Sequence, residues 1–322
     1  MSLQEPLRFL PVYKTLVWGG RRMLAWRPDL PDGPVGESWD LADHPEGMTV
    51  VAEGPLAGQT LAQVLAGDPA GLVGAGFAGR TFPLMVKLID ASQRLSVQVH
   101  PDDAGARALG VGDNGKTECW RVVADGGVIF QGTRRGIDRA GFEAALAAGR
   151  LEETLNRFEP QAGDFYFLQA RTVHALGEGC LVYEIQQTSN ITFRVYDWGR
   201  MGLDGKPRPL HVAESLETID FQLTGFGPRH PPVVTDPRGG RTRLLADCPH
   251  FRLEERVGTA LQTPSSGCCA VVVCLEGRGR LDTGAGGLAL EPMQTLLVPA
   301  AAGGFTVQAA EPIRVLVAEP RL

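Results

Sequence analysis

Long apolar runs are missing from this chain. No window approaches the roughly 20 residues a membrane-spanning helix needs, so no membrane partner is expected. Basic runs, and aromatics interleaved with them, are missing too: 31 Lys and Arg stand against 37 Asp and Glu, a net charge of -6. That balance argues against nucleic acid as a ligand but leaves room for a few local cations to hold a small anion. The opening residues, Met1 to Pro6, have neither the basic nor the apolar region of a signal peptide. The cysteines, at 119, 180, 248, 268, 269 and 274, match neither a CxxC zinc pattern nor a disulfide framework. Reduced thiols and a cytoplasmic location are the expectation. Histidine is scarce, and none follows His250, which limits where a histidine-based site can be built.

What is present is a series of short extended runs punctuated by Gly and Pro. Residues 82–89, 95–100, 116–123, 127–131, 164–168, 180–186 and 191–196 read as strands, with 116–123 and 127–131 expected to form a hairpin. Between them, 137–158 changes period and predicts a small helical insertion. A Gly- and Pro-rich connection at 225–232 separates a second region, 233–322, of further short strands. The length favours two domains, and many short strands with turn signals between them indicate a mainly β sandwich or small barrel in each. The two regions resemble each other: 118–126 can be laid on 269–277, and 163–174 on 293–304, so that Glu118 corresponds to Cys269 and His174 to Gly304. The GxGxxG at 74–79 precedes a strand rather than a helix, which is the wrong context for a dinucleotide site.

The chemistry concentrates around Leu-Ser-Val-Gln-Val-His-Pro-Asp-Asp at 95–103, where Ser96, Gln98 and His100 share one face of an alternating strand. Asp102 and Asp103 belong to the turn beyond. Lys116 and Glu118 share a face of the next strand, His174 closes a turn, and Glu184 and Arg194 lie on the two strands that follow. Strands of a small barrel aim such side chains at a common interior. Two His and one carboxylate suit zinc with an open position, and equally the facial triad of a non-haem iron site. Each residue alone has a plainer reading: a surface Lys–Glu pair, a bracing Arg, a turn His. His211, His230 and His250 lie in loop contexts and read as structural.

In this order the motifs resemble those of the type I mannose-6-phosphate isomerases (phosphomannose isomerases), short bacterial form, of the cupin superfamily. They are Pro11-Val12-Tyr13-Lys14, Gly36-Glu37-Ser38-Trp39, Phe82 to Lys87, 95–103, Gly115 to Trp120, Val173-His174-Ala175-Leu176, and Ile185 through Trp198. The resemblance implies two cupin-like jelly-roll barrels: 1–222 as the catalytic metal-binding domain, and 233–322 as a C-terminal domain lacking metal ligands. It implies one zinc ion on His100, Glu118 and His174, with Gln98 as a fourth ligand. Arg194 falls where the family places its catalytic arginine. Lys116 and Glu184 are the alternatives for the catalytic base, with the Lys116 pKa expected to be lowered beside zinc and other cations and the Glu184 pKa raised by burial. Lys87 and Ser96 fall in the substrate pocket. The implied reaction interconverts mannose 6-phosphate and fructose 6-phosphate through a cis-enediol. Competing readings are the same chemistry on another aldose, an iron-dependent cupin dioxygenase, and a non-enzymatic sugar-binding cupin.

Overall fold

The computed structural model describes residues 3–236 and 240–322. The fold is mainly β, and the chain divides into two compact units. One unit comprises Tyr13–Ser38 and Lys87–Arg229; the other comprises Met1–Val12, Trp39–Val86 and His230–Leu322. The break at 229/230 falls within the Gly- and Pro-rich connection. The N-terminal half, however, is shared out rather than belonging wholly to a 1–222 domain. Strand pairing is the reason: Leu7–Leu10 adds to the edge of Thr295–Val298, with Leu7 opposite Leu297, and Val50–Val51 adds to Leu7–Leu10 in turn. Among the described residues no helix is long and apolar enough to cross a membrane.

The unit containing His100 and His174 has two sheets. One runs in the order Phe165–Leu168, Glu118–Val122, Leu181–Gln187, Leu84–Asp90, Val35–Leu41, Val12–Gly20. The other runs Leu155–Phe158, Ile129–Thr133, His174–Leu176, Val97–Val99, Phe193–Tyr196. Alternation along each strand sorts side chains to two faces. Trp120, Val122, Tyr166, Leu168 and Val182 from the first sheet share one buried cluster with Ile129 and Leu176 from the second. Val97, Val99, Phe130, Ala175, Phe193 and Val195 point the other way, into a cluster closed by Phe142, Leu151 and Ile219. The helix Arg139–Ala147, the turn of 3-10 helix Leu151–Thr154 and the helix Val212–Thr218 thus act as a lid over the second sheet's outer face.

Three sequence expectations change here. Leu155–Phe158 is an edge strand rather than the end of a helical insertion. The Asn156 amide nitrogen donates to the carbonyls of Gln131, Gly132 and Thr133 at 3.1, 3.3 and 2.9 Å, fastening it to Ile129–Thr133. Next, Glu118–Val122 and Ile129–Thr133 do not form a hairpin. They lie in different sheets, and the chain crosses between them through Gly126 and Gly127, at φ +99° and +91°. Finally, the internal repeat is offset by one residue. Leu168 pairs with Glu118, and its counterpart Val298 pairs with Ala270, not Cys269. A one-residue slip turns every side chain to the opposite face. Ala270 is therefore the position matching Glu118, and it packs in that unit's apolar cluster with Val272 and Val298.

The crossing at 126–127 makes a testable contrast. Both glycines need a backbone conformation that L side chains avoid, but only Gly127 is crowded: a Cβ there would lie 2.7 Å from the Cys180 amide nitrogen, whereas at Gly126 it meets nothing within 4 Å. Gly126→Ala should cost about 1–2 kcal/mol for the backbone alone, and Gly127→Ala about 1–3 kcal/mol more. Denaturation midpoints check this; equal losses would mean the crossing is not close-packed.

Candidate active site

The side chains that carry chemistry are set by cross-strand register. In the second sheet Gln131 lies opposite His174, His174 opposite Gln98, and Gln98 opposite Arg194, so the four form one row on the inner face. In the first sheet Glu118 lies opposite Gln186, and Trp120 opposite Glu184. Lys87 has its place on Leu84–Asp90, the strand beside Leu181–Gln187. His100 and Lys116 sit just past the end of one strand and just before the start of another, tied by the Lys116 N–H donating to the Pro101 carbonyl at 2.9 Å.

His100, Glu118 and His174 converge, with their ligand atoms all within 4.8 Å of one another. His174 Nε2 is 3.2 Å and His100 Nε2 3.8 Å from the Glu118 carboxylate. The other ring nitrogens fix the tautomers. His100 Nδ1 is 2.7 Å from the Ile191 carbonyl and His174 Nδ1 2.8 Å from that of Thr172. A carbonyl only accepts, so each Nδ1 carries the proton and each Nε2 turns a lone pair toward Glu118. Both rings are held neutral: burial, then Lys116, pushes His100 far down, and burial pushes His174 down to about 4. Both Glu118 oxygens are buried without an aligned hydrogen bond. Burial, and then the Glu184 charge, raise its carboxyl pKa against the pull of Lys116. Two lone pairs and an undersatisfied carboxylate facing one point are costly unless a cation lies between them. The donor set, two imidazole nitrogens and a carboxylate, fits a zinc-type ion.

Around this group the charges alternate. Lys116 Nζ is 2.6 Å from Glu118 and 3.4 Å from Glu184, and Lys87 Nζ is 3.5 Å from Glu184. The Trp120 indole N–H donates to the other Glu184 oxygen at 2.8 Å. These contacts set the direction of both shifts, and Glu184 moves against the expectation from burial. Burial alone would lower Lys116, but Glu118 and Glu184 outweigh it and hold the ammonium above its ordinary value. Burial alone would raise Glu184, but Lys116 and then Lys87 outweigh it and hold the carboxyl below the usual range.

The remaining expected residues are placed as follows. The Ser96 hydroxyl donates to Gln98 Oε1 at 3.2 Å, and Gln98 Nε2 lies 3.4 Å from His174 Nε2. In this rotamer Gln98 offers a donor toward His174, so its oxygen joins the ligand set only with the amide turned over; Ser96, which both donates and accepts, suits either orientation. Arg194 keeps its place opposite Gln98, but its Nη1 donates to the Pro209 carbonyl at 2.8 Å, and its Nε is buried without a partner. His211, read as structural, accepts from the Arg194 backbone N–H at 3.3 Å. Asp102 caps the helix Asp103–Leu109 by accepting from the Gly105 N–H. Asp103 accepts from the Gly115 N–H at 2.9 Å and so braces the segment that carries Lys116. Glu37, to which sequence reasoning gave no role, lies 3.5 Å from Lys87; its only signal was its place in the motif 36–39.

In sequence and in fold the chain is similar to known proteins of one family. The family described as "Phosphomannose isomerase type I, catalytic domain" matches residues 7–117. Mannose-6-phosphate isomerase ManA of Bacillus subtilis is 32% identical over 94% of this chain and 96% of its own length. Mannose-6-phosphate isomerase of Streptococcus mutans is 32% identical over 92% of this chain and 93% of its own. The crystal structure of the mannose 6-phosphate isomerase from Bacillus subtilis superposes with a TM-score of 0.88 at 30% identity, covering 98% of this chain and all of that one. Fold, site and sequence lead to one conclusion: this chain belongs to the type I phosphomannose isomerase family and is an enzyme of the isomerase class.

Proposed function

We propose that this isomerase acts in the cytoplasm and interconverts mannose 6-phosphate and fructose 6-phosphate through a cis-enediol. One zinc ion would be held by His100, Glu118 and His174, with Gln98 as an added ligand. The observation that carries the reading is Glu118: a buried carboxylate, short of hydrogen bonds, that faces two imidazole lone pairs. Catalysis is assigned to the unit that contains these residues. The other unit, with Ala270 and Gly304 at the matching positions, has no ligand role.

In the reaction a proton leaves C2 of the open-chain aldose and one is returned to C1. Held by His100, Glu118 and His174, zinc would supply Lewis acidity toward the substrate oxygens. Glu184 is the base we assign. Two ammonium groups and an indole N–H keep it ionised and fixed in direction, so its advantage as acceptor of the C2 proton is placement rather than basicity. Lys116, whose ammonium lies between Glu118 and Glu184, is assigned to donate a hydrogen bond or proton to the substrate oxygens. Lys87 and Ser96 belong to the pocket wall. Arg194 would have to leave the Pro209 carbonyl to steady the enediolate, and its unpartnered Nε marks it as incompletely satisfied where it is. Glu37, Glu118 and Glu184 exceed Lys87 and Lys116 by one charge. A divalent cation reverses that sign, which favours an anionic sugar phosphate.

Two outcomes are expected. Chelation should abolish turnover of mannose 6-phosphate in an assay coupled to fructose 6-phosphate, and one equivalent of zinc should restore it; zinc-loaded protein without turnover would refute the reading. Glu184→Gln should slow exchange of the C2 proton with solvent by about 10²–10⁴-fold, the usual worth of a general base, while zinc content is retained. Exchange at the wild-type rate would place the base elsewhere.

A further inference from the structure

The alternating charges extend one residue beyond those the reaction uses. Crossing the first sheet from Glu118–Val122 to Leu181–Gln187, Leu84–Asp90 and Val35–Leu41, the strands carry Glu118, Glu184, Lys87 and Glu37 in turn. Lys87 Nζ is 3.5 Å from Glu184 Oε1 and 3.5 Å from Glu37 Oε2. The Lys87 side chain is 3% exposed and that of Glu37 16%, so the ammonium is buried and Glu37 is its outer neighbour. The ammonium is therefore drawn to both carboxylates at once.

Glu184 must at the same time serve Lys116, at 3.4 Å. If Glu37 lost its charge, the pull on Lys87 from the Glu184 side, where Glu184 is in contact and Glu118 acts from farther off, would no longer be opposed by Glu37. Attraction between buried charges is steep with distance, so the Lys87 ammonium would close onto Glu184 and draw it from Lys116. Resting on the proposed isomerase reaction, we propose that Glu37 is a positioning residue: by sharing Lys87 with Glu184, it keeps the Glu184 carboxylate where it can reach the substrate's C2 proton. Glu37 itself touches neither the metal ligands nor the transferred proton. Its contact is with Lys87, and it reaches Lys116 only by charge at longer range.

The test is a double-mutant cycle on the zinc-loaded full-length enzyme, with Glu37→Gln, Glu37→Asp, Lys87→Met and the Glu37→Gln/Lys87→Met pair. Glu37→Gln should lower kcat about tenfold with KM changed less than about twofold, the signature of an interaction used in the transition state. Zinc stoichiometry and Tm should stay at wild-type values, and Glu37→Asp should recover most of kcat. In the Lys87→Met background, Glu37→Gln should cost less than about twofold, because residues acting through one another are not additive. The proposal fails if Glu37→Gln keeps wild-type kcat, if KM rises while kcat is kept (Glu37 then binds substrate), if the losses multiply, or if kcat falls only with Tm and zinc content. A wild-type enzyme inert toward mannose 6-phosphate would instead refute the functional reading, and this proposal with it.

Discussion

The rest of the site depends on one buried carboxylate. Glu118 is 1% exposed, faces two neutral imidazoles whose lone pairs are turned toward it, and has Lys116 as its closest cation. An isolated buried carboxylate is costly, and removing water from it is offset only by opposite charge or good hydrogen bonds. Here the one close donor is the Lys116 ammonium, at 2.6 Å, which Glu184 shares, and no aligned hydrogen bond adds to it. The arrangement makes physical sense as a cation site. Lys116 lies 2.6 Å from Glu118 and 3.4 Å from Glu184, so the two carboxylates share one ammonium.

The β architecture explains how these groups are held. Every residue of the row Gln131–His174–Gln98–Arg194 is set by register between neighbouring strands, and the opposite faces of those strands are locked into an apolar cluster under the helices. Sites built on strands whose backs are packed are held more tightly than sites on loops. His100 and Lys116, which lie just off strand ends, are secured separately by the Pro101 carbonyl and by Asp103, which braces Gly115. Asp102 and Asp103 therefore serve the site without touching it.

Much of this was legible in the sequence, because period-two alternation is local. It put Ser96, Gln98 and His100 on one face and singled out Glu118 and Lys116, and the order of motifs pointed to the family. Three things were not legible, each for a reason of distance. Which strands pair is decided by chain crossings such as Gly126–Gly127, so 118–122 and 129–133 were read as a hairpin although they lie in different sheets. The direction of a pKa shift depends on which charges converge, so Glu184, between Lys116 and Lys87, moved opposite to the expectation from burial. The repeat's register, chosen by residue likeness, missed by one and gave Cys269 where pairing gives Ala270. Glu37 escaped notice because its partner Lys87 is 50 positions away in the chain.

The central claim, that His100, Glu118 and His174 form a metal centre, is tested most directly by crystallographic anomalous scattering at the zinc edge from protein purified without chelator. The account predicts one strong peak per chain, about 2.0–2.2 Å from His100 Nε2, His174 Nε2 and a Glu118 oxygen. No peak there, or a peak coordinated by other residues, would contradict it.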